Sequence, residues 1–147
     1  MNTYDPNYVP TYARFLLGVK IIVIGEDGKI LIIKRSDKVD RPHGWDFPGG
    51  GVDKSEEPSV AATREVKEET SLNVSDLQIL TTYLAKTDGE DDLIIGYVAK
   101  VVSSDVKLVG WEHEEFRWIS IEEMATFGLP ECHMSIFKAY RQLLKKF

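Results

Sequence analysis

Glu65, Glu68 and Glu69 stand at spacings that put three carboxylates on one side of any helix containing them. At about 100° per residue they fall within about 100° of arc, and Ala61 and Ala62 lie in or beside it. Those small apolar residues imply that the face is partly buried. On a solvated face each like-charged pair would cost about 0.2–0.5 kcal/mol. At an effective dielectric of about 20 and a separation of about 6 Å the cost is roughly 3 kcal/mol. A bound divalent cation would reverse that repulsion, whereas Lys67 points elsewhere on the helix. Three carboxylates, a backbone carbonyl and water make a hard oxygen site suited to Mg²⁺ or Mn²⁺ and to bridging phosphate oxygens. Zinc is disfavoured, because His43, His113 and His133 have no zinc-ligand spacing with one another or with Cys132. Of the three, His113, beside Glu112, comes nearest to a ligand role. The bland alternative, a solvated acidic face, leaves the glycines at 49–51 and the Glu56 and Arg64 spacing unexplained.

The helix that carries the glutamates should begin near Pro58, whose missing N–H is harmless in a first turn, and run to about Thr70. Upstream, Phe15–Ile24 and Lys29–Lys34 are β-branched runs joined by Gly25-Glu26-Asp27-Gly28, which reads as a hairpin. A polar loop over 36–44 follows, then a short strand from Trp45 to Pro48 and the glycines Gly49, Gly50 and Gly51, which permit unusual torsions. Downstream, Leu77–Ala85 and Leu93–Val102 read as antiparallel strands around an acidic turn at Asp88–Asp92, and Glu115–Ile119 as a shorter strand. Ile121–Phe127 reads as a short helix ended by Gly128. Cys132–Phe147 reads as an amphipathic terminal helix with Met134, Phe137, Leu143 and Leu144 on its apolar side. There is no internal repeat or linker. The order argues for helices on both sides of a mixed sheet.

The segment from Gly50 through Glu56, Arg64-Glu65 and Glu68-Glu69 to Leu72 resembles the Nudix box over about 23 residues, with Ser71 where that family usually has glycine. The upstream ILIIKR and WDFPGG and the downstream WEHEEFRWIS are also similar to this family. The resemblance implies an α/β fold, the Nudix α/β/α sandwich with a mixed β-sheet between helices. It also implies metal-dependent hydrolysis of a nucleoside diphosphate linked to another moiety, by water attack on phosphorus. Carried over residue by residue, Glu68 and Glu69 match the main metal ligands, Glu65 a ligand or general base, and Gly49 a residue whose carbonyl ligates metal. Glu112 is the chosen further catalytic or metal-binding glutamate, with Glu114 and Glu115 as alternatives. Glu56 and Arg64, with Gly50, support the site, so replacing Arg64 should weaken both metal binding and stability. Serine at 71 would either enter a left-handed helix end at a cost on the order of 1 kcal/mol or cap the helix differently.

The 147 residues, 43% hydrophobic, suit one domain spanning 1–147. No run approaches a membrane span, and the N-terminal ten residues lack signal-peptide character, which points to a cytoplasmic protein that does not engage a membrane. Cys132 is the single cysteine, so no intrachain disulfide forms, and it reads as a packing residue. A net charge of −6 argues against long nucleic acid as a partner and leaves a small polyanion, drawn in by metal ions or local cations. Arg35, in the group Lys34, Arg35, Lys38 and Arg41, is kept as a substrate-phosphate candidate against a solvated loop. Trp45, Phe47, Tyr83 and Trp111 are assigned to core packing ahead of base stacking. The basic end of the last helix fits its dipole. A nucleoside triphosphate or nucleotide sugar is the expected substrate, and a homodimer is expected from the family. Two other functions share the fold: an isopentenyl-diphosphate-type isomerase, against which the near-complete box and the lack of a core-strand cysteine argue, and a non-catalytic nucleotide sensor, in which the glutamates would be degraded.

Overall fold

The computed structural model describes residues 5–9, 11–86 and 89–147. Asp88 of the expected acidic turn, like residues 1–4 and 10 of the N-terminal stretch, lies outside the described residues.

Strand β1 (Leu16–Ile24) runs parallel to β6 (Asp92–Val101) along its whole length, with Leu16 opposite Asp92 and Ile24 opposite Lys100. Strand β5 (Val74–Ala85) pairs antiparallel with β6, as expected, on its outer side. The anticipated hairpin of β1 with β2 (Ile30–Arg35) is narrower than the sequence suggests, because the two pair only at Ile24 and Ile30 and then splay apart. Residues 45–51 are wedged into the opening. Strand β3 (Trp45–Asp46) pairs with Ile33 and Lys34 of β2, and β4 (Gly49–Gly51) pairs with Gly18–Lys20 of β1. Between them the Ile21 N–H donates to the Pro48 carbonyl at 2.9 Å. The wedge demands glycine at 49: its φ is 149°, and a Cβ there would run into the Val19 carbonyl oxygen. Strand β7 (His113–Ile119) completes the sheet along the other edge of β2.

Alternation along β1 divides two cores. Val19, Ile21 and Val23 face helix α1 (Pro58–Thr70), which seats Ala61, Ala62 and Val66 against them without exposure. The two alanines let the helix approach closely, and each fully buried branched side chain contributes about 1.5–3 kcal/mol. Ile22 faces α2 (Met134–Leu144), which buries Ile136, Phe137 and Tyr140. Pro58 occupies the first turn of α1 as anticipated. The C-terminal region differs in detail. Residues expected as a short helix form a 3₁₀ turn at Glu123–Thr126, with Gly128 beyond it at φ 58°. The terminal helix proper starts at Met134, after a second 3₁₀ turn at Glu131–His133 that follows Pro130. Met134 and Leu143 pack at the edge of the core, while Leu144 stays 46% exposed, because the helix turns Ile136 and Tyr140 inward instead. No helix among the described residues is long and apolar enough to cross a membrane.

Candidate active site

Arg64 is the hub of the loop-helix unit. Its Nε and one terminal nitrogen donate to the two oxygens of Glu56 at 2.8 and 2.9 Å. The same terminal nitrogen reaches the Gly51 carbonyl at 3.0 Å, and the other donates to Glu65 at 2.8 Å and Glu68 at 3.1 Å. All five guanidinium N–H groups are thereby spent. The geometry ties the 51–56 loop to the helix and clamps two of the three glutamates at fixed positions. The Arg64 hydrogen bonds hold the Glu56 carboxyl down to about 2, helped by the Asp53 N–H.

The glutamate face is graded in depth. Side-chain exposure falls from 58% at Glu68 to 14% at Glu65 and 9% at Glu69. Burial pushes the Glu69 carboxyl up to about 8, with the nearby Lys20 charge and a 2.9 Å hydrogen bond from the Gly49 N–H pulling the other way. Burial likewise raises Glu65, opposed by Arg64. The Glu65 carboxylate lies over the bare Cα of Gly50, where an added Cβ would come within 2.6 Å of it. Glycine at 50 is thus the floor of the carboxylate site.

The far wall arrives on a strap strung across the end of α1. Ser71 adopts the left-handed conformation, φ 65° and ψ 2°, and its N–H caps the Lys67 carbonyl. The N–H groups of Lys107 and Val109 satisfy the Thr70 and Glu69 carbonyls, and the Ser71 hydroxyl donates to the Lys107 carbonyl at 3.0 Å. The serine that departs from the box is therefore an anchor for the strap, a use glycine could not serve. Ser36, 6% exposed, fixes the far end: its hydroxyl donates to the Trp111 carbonyl at 2.7 Å and its N–H to the Glu112 carbonyl at 2.8 Å. The result is a groove of about 430 Å³ between Gly49–Gly51, Glu65 and Glu68 on one side and Val109, Gly110, Trp111 and Glu112 on the other. Glu69, Glu112 and His113 offer donor atoms within 4.8 Å of one another.

The structure brings together Gly49, Gly50, Glu56, Arg64, Glu65, Glu68, Glu69 and Glu112, and separates the alternatives from them. Glu114 hydrogen-bonds His43 at 2.8 Å and Glu115 pairs with Arg117. Arg35 donates its Nε to the Asp40 carbonyl and does not line the groove. Trp111 is 57% exposed, so its assignment to the core fails, because the strap carries it into the groove wall. Phe47 is buried as expected. His113 is nearer the carboxylates than its neighbours in sequence suggest: its Nε2 lies 3.7 Å from Glu69, burial lowers it to about 4, and its Nδ1 has no partner among the described residues. Lys20 was not singled out, although a lone lysine in FLLGVKIIVI is a signal. Its Nζ donates to Asp46 at 2.8 Å and to the Phe47 carbonyl at 3.2 Å. Ser36 carried no signal at all.

A second buried polar group lies on the α2 face. Asp46, 1% exposed, accepts from Lys20 and from the Phe47 N–H, with His133 Nε2 at 3.8 Å. His133 Nδ1 and the Tyr83 hydroxyl are 2.7 Å apart. Burial lowers His133 to about 4 and raises the Tyr83 hydroxyl.

Comparison with known proteins places the chain among similar sequences and folds. The chain is 27% identical over 146 residues to an RNA pyrophosphohydrolase of Pelagibacter ubique, covering 88% of this chain and 90% of that one. It is 26% identical over 128 residues to a CTP pyrophosphohydrolase of Escherichia coli, covering 87% and 93%. The crystal structure of a MutT protein from Methanosarcina mazei superposes with a TM-score of 0.75 at 27% identity, covering 92% of this chain and 99% of that one. The profile of the NUDIX domain matches residues 14–140. The chain belongs to the NUDIX domain family and is a hydrolase of phosphoric anhydride bonds.

Proposed function

We propose that the chain cleaves the pyrophosphate link of a small nucleoside diphosphate derivative, a nucleoside triphosphate or a nucleotide sugar, with Mg²⁺ or Mn²⁺. The observation that carries this reading is the carboxylate face of α1, with Glu69 buried among like charges beside a groove floored by glycine. Arg64 and Lys20 offset this charge only in part, since burial still pushes the Glu69 carboxyl up, and a bound cation would favour its anion. The donor set fits one: Glu65, Glu68, Glu69 and Glu112 with the Gly49 carbonyl are hard oxygens, and the cradle over Gly50 keeps a carboxylate where a side chain would otherwise stand. When bound, the ion would neutralise phosphate charge and lower the pKa of a bound water.

The remaining roles belong to the chain. Arg64 orients Glu65 and Glu68, and the Gly49 N–H orients Glu69. The strap closes Glu112 over the groove, and Ser36 holds it there. Glu65 and Glu112, facing each other across the groove, are the two candidates to take the proton of the attacking water. Relatives that act on RNA and on CTP support a base-bearing substrate. The deciding experiment is product analysis on CTP, GTP, ADP-ribose, a nucleotide sugar and a dinucleoside polyphosphate, each with Mg²⁺, Mn²⁺ or chelator. Metal-dependent cleavage of one class supports the reading. No cleavage of any member overturns it in favour of a sensor.

A further inference from the structure

Trp111 is held in place by its backbone, and its side chain is left more than half exposed. The carbonyl is fixed by Ser36, the next carbonyl by the Ser36 N–H, and the chain before it by the Val109 hydrogen bond to α1 and a turn at Gly110 with φ 81°. The side chain stays 57% exposed. The other two tryptophans are engaged: Trp118 donates its indole N–H to the Ser104 carbonyl, and Trp45 meets Phe127 edge-on at 5.5 Å with Arg117 over its ring. Among the described residues no ring, guanidinium or hydrogen-bond acceptor engages the Trp111 indole. An indole presented to water by a rigid loop is an unfilled contact surface, since its large apolar area gains nothing until something covers it.

Its position says what covers it. Trp111 adjoins Glu112 in the chain and shares the groove wall with it, and Val109, 47% exposed, extends the apolar stretch. The opposite wall is carboxylate and glycine. One groove therefore has an anionic side, suited to a metal-bound diphosphate, and a flat apolar side one residue away. A molecule filling both has a diphosphate joined over a short distance to a planar ring. We propose that Trp111 is the stacking platform for the nucleobase of the substrate, and so determines the preference for base-bearing over base-free polyphosphates. This rests on the pyrophosphohydrolase reading of the groove. Stacking against a π-face tolerates any base, which makes Trp111 a discriminator of substrate class and leaves the choice among bases to other contacts.

The test uses the full chain as wild type, Trp111→Phe and Trp111→Ala. With Mg²⁺, kcat and KM are measured for whichever of CTP, GTP and ADP-ribose is cleaved fastest, and for inorganic tripolyphosphate. In Trp111→Ala the ratio of kcat/KM, nucleotide over tripolyphosphate, should fall by about tenfold or more through KM, with Trp111→Phe recovering most of it. An unchanged ratio overturns the proposal. Independently, the same three nucleotides are titrated with Ca²⁺ in place of Mg²⁺ while intrinsic fluorescence is followed. At least one should quench the wild type, and Trp111→Phe should lose that quench. No quench in the wild type, or an undiminished quench in Trp111→Phe, overturns the proposal. The titration needs no turnover, so a protein that binds nucleotides through Trp111 but hydrolyses none would sink the proposed activity and leave the platform standing.

Discussion

Two buried polar clusters flank the wedge at 45–51, and they are built on opposite principles. On the α2 face, Asp46 meets Lys20 and the Phe47 N–H, and His133 meets Tyr83. Burial is the largest single influence on the Asp46 carboxyl and lifts it, but the Lys20 and His133 charges and the hydrogen bonds from Lys20 and the Phe47 N–H together outweigh it, so the group stays below its ordinary range. On the α1 face, Glu69 sits with Glu65 as a like-charged neighbour, is pushed up to about 8, and faces a histidine whose Nδ1 has no partner among the described residues. The first cluster is complete in itself and reads as structure. The second is incomplete, its deficit lies beside a groove, and it reads as a place kept for a ligand.

The sharpest way to break this contrast is Glu68→Gln. Its nearly isosteric amide removes a charge from the groove, and kcat should fall by more than the roughly 100-fold that loss of an outer-sphere partner costs. The melting temperature without metal should hold or rise, because the repulsion with Glu65 has gone while the amide oxygen can still accept from Arg64 and the exposed ion pair it replaces is worth little. A large loss of metal-free stability would sink the ligand reading. Asp46→Ala should show the reverse pattern: Lys20 is left buried without its partner, at a cost of about 3–5 kcal/mol in a denaturant titration. A cost below about 1 kcal/mol would show that the second cluster is not structural.

The pH dependence of the metal-free protein is a smaller effect and separates Glu69 from the two buried histidines by sign. Glu69 has a folded pKa raised from 4.5 to about 8, so its contribution to stability is complete below about pH 4.5 and is lost as pH rises through about 8. His113 and His133, lowered from 6.5 to about 4, contribute above pH 6.5 and lose that contribution as pH falls through about 4. Melting curves in chelator from pH 5 to 9 should therefore show Glu69→Gln gaining on the wild type as pH rises, while the acid-side loss due to His133 stays common to both. A constant difference across that range would contradict the burial of Glu69. The smallest effect belongs to Ser71→Gly. Relief of the left-handed backbone, worth about 1 kcal/mol, is offset in part by loss of the hydroxyl bond to Lys107. Stability should change by less than about 1 kcal/mol, while KM rises as the strap loosens. An unchanged KM would leave the hydroxyl without a role in holding the groove.

What was legible in the sequence was what is local. The bounds of α1 and the shared face of its glutamates are set by helical period, so spacing alone exposes them, whereas the Glu56–Arg64 tie was implied by the resemblance to the Nudix box. Pro58 is likewise a property of a single position, whereas the sequence left open whether Ser71 would turn left-handed or cap the helix differently. The splaying of β1 from β2 was not legible, because it depends on residues 45–51 entering from outside the hairpin. Nor was the choice of Glu112 over Glu114 and Glu115, which rests on where the strap is tied at Glu69, Thr70 and Ser36. Trp111 was misassigned for the same reason: composition makes a tryptophan a core residue by default, and only the strap's anchorage at both ends keeps this one in water.

The parallel pairing of β1 with β6 also governs when the groove can exist. Strand β4, which carries the glycine floor, hangs on β1, and β1 finds its longest partner only when positions 16 and 92 have met. That contact closes a long loop, and such closures are slow to be rewarded during folding. A nascent chain will have synthesised the whole acidic helix well before the strand that steadies its floor emerges. The box is therefore not a portable module: a fragment ending short of β6 would carry every acidic residue of the helix and still have no groove in which to gather them.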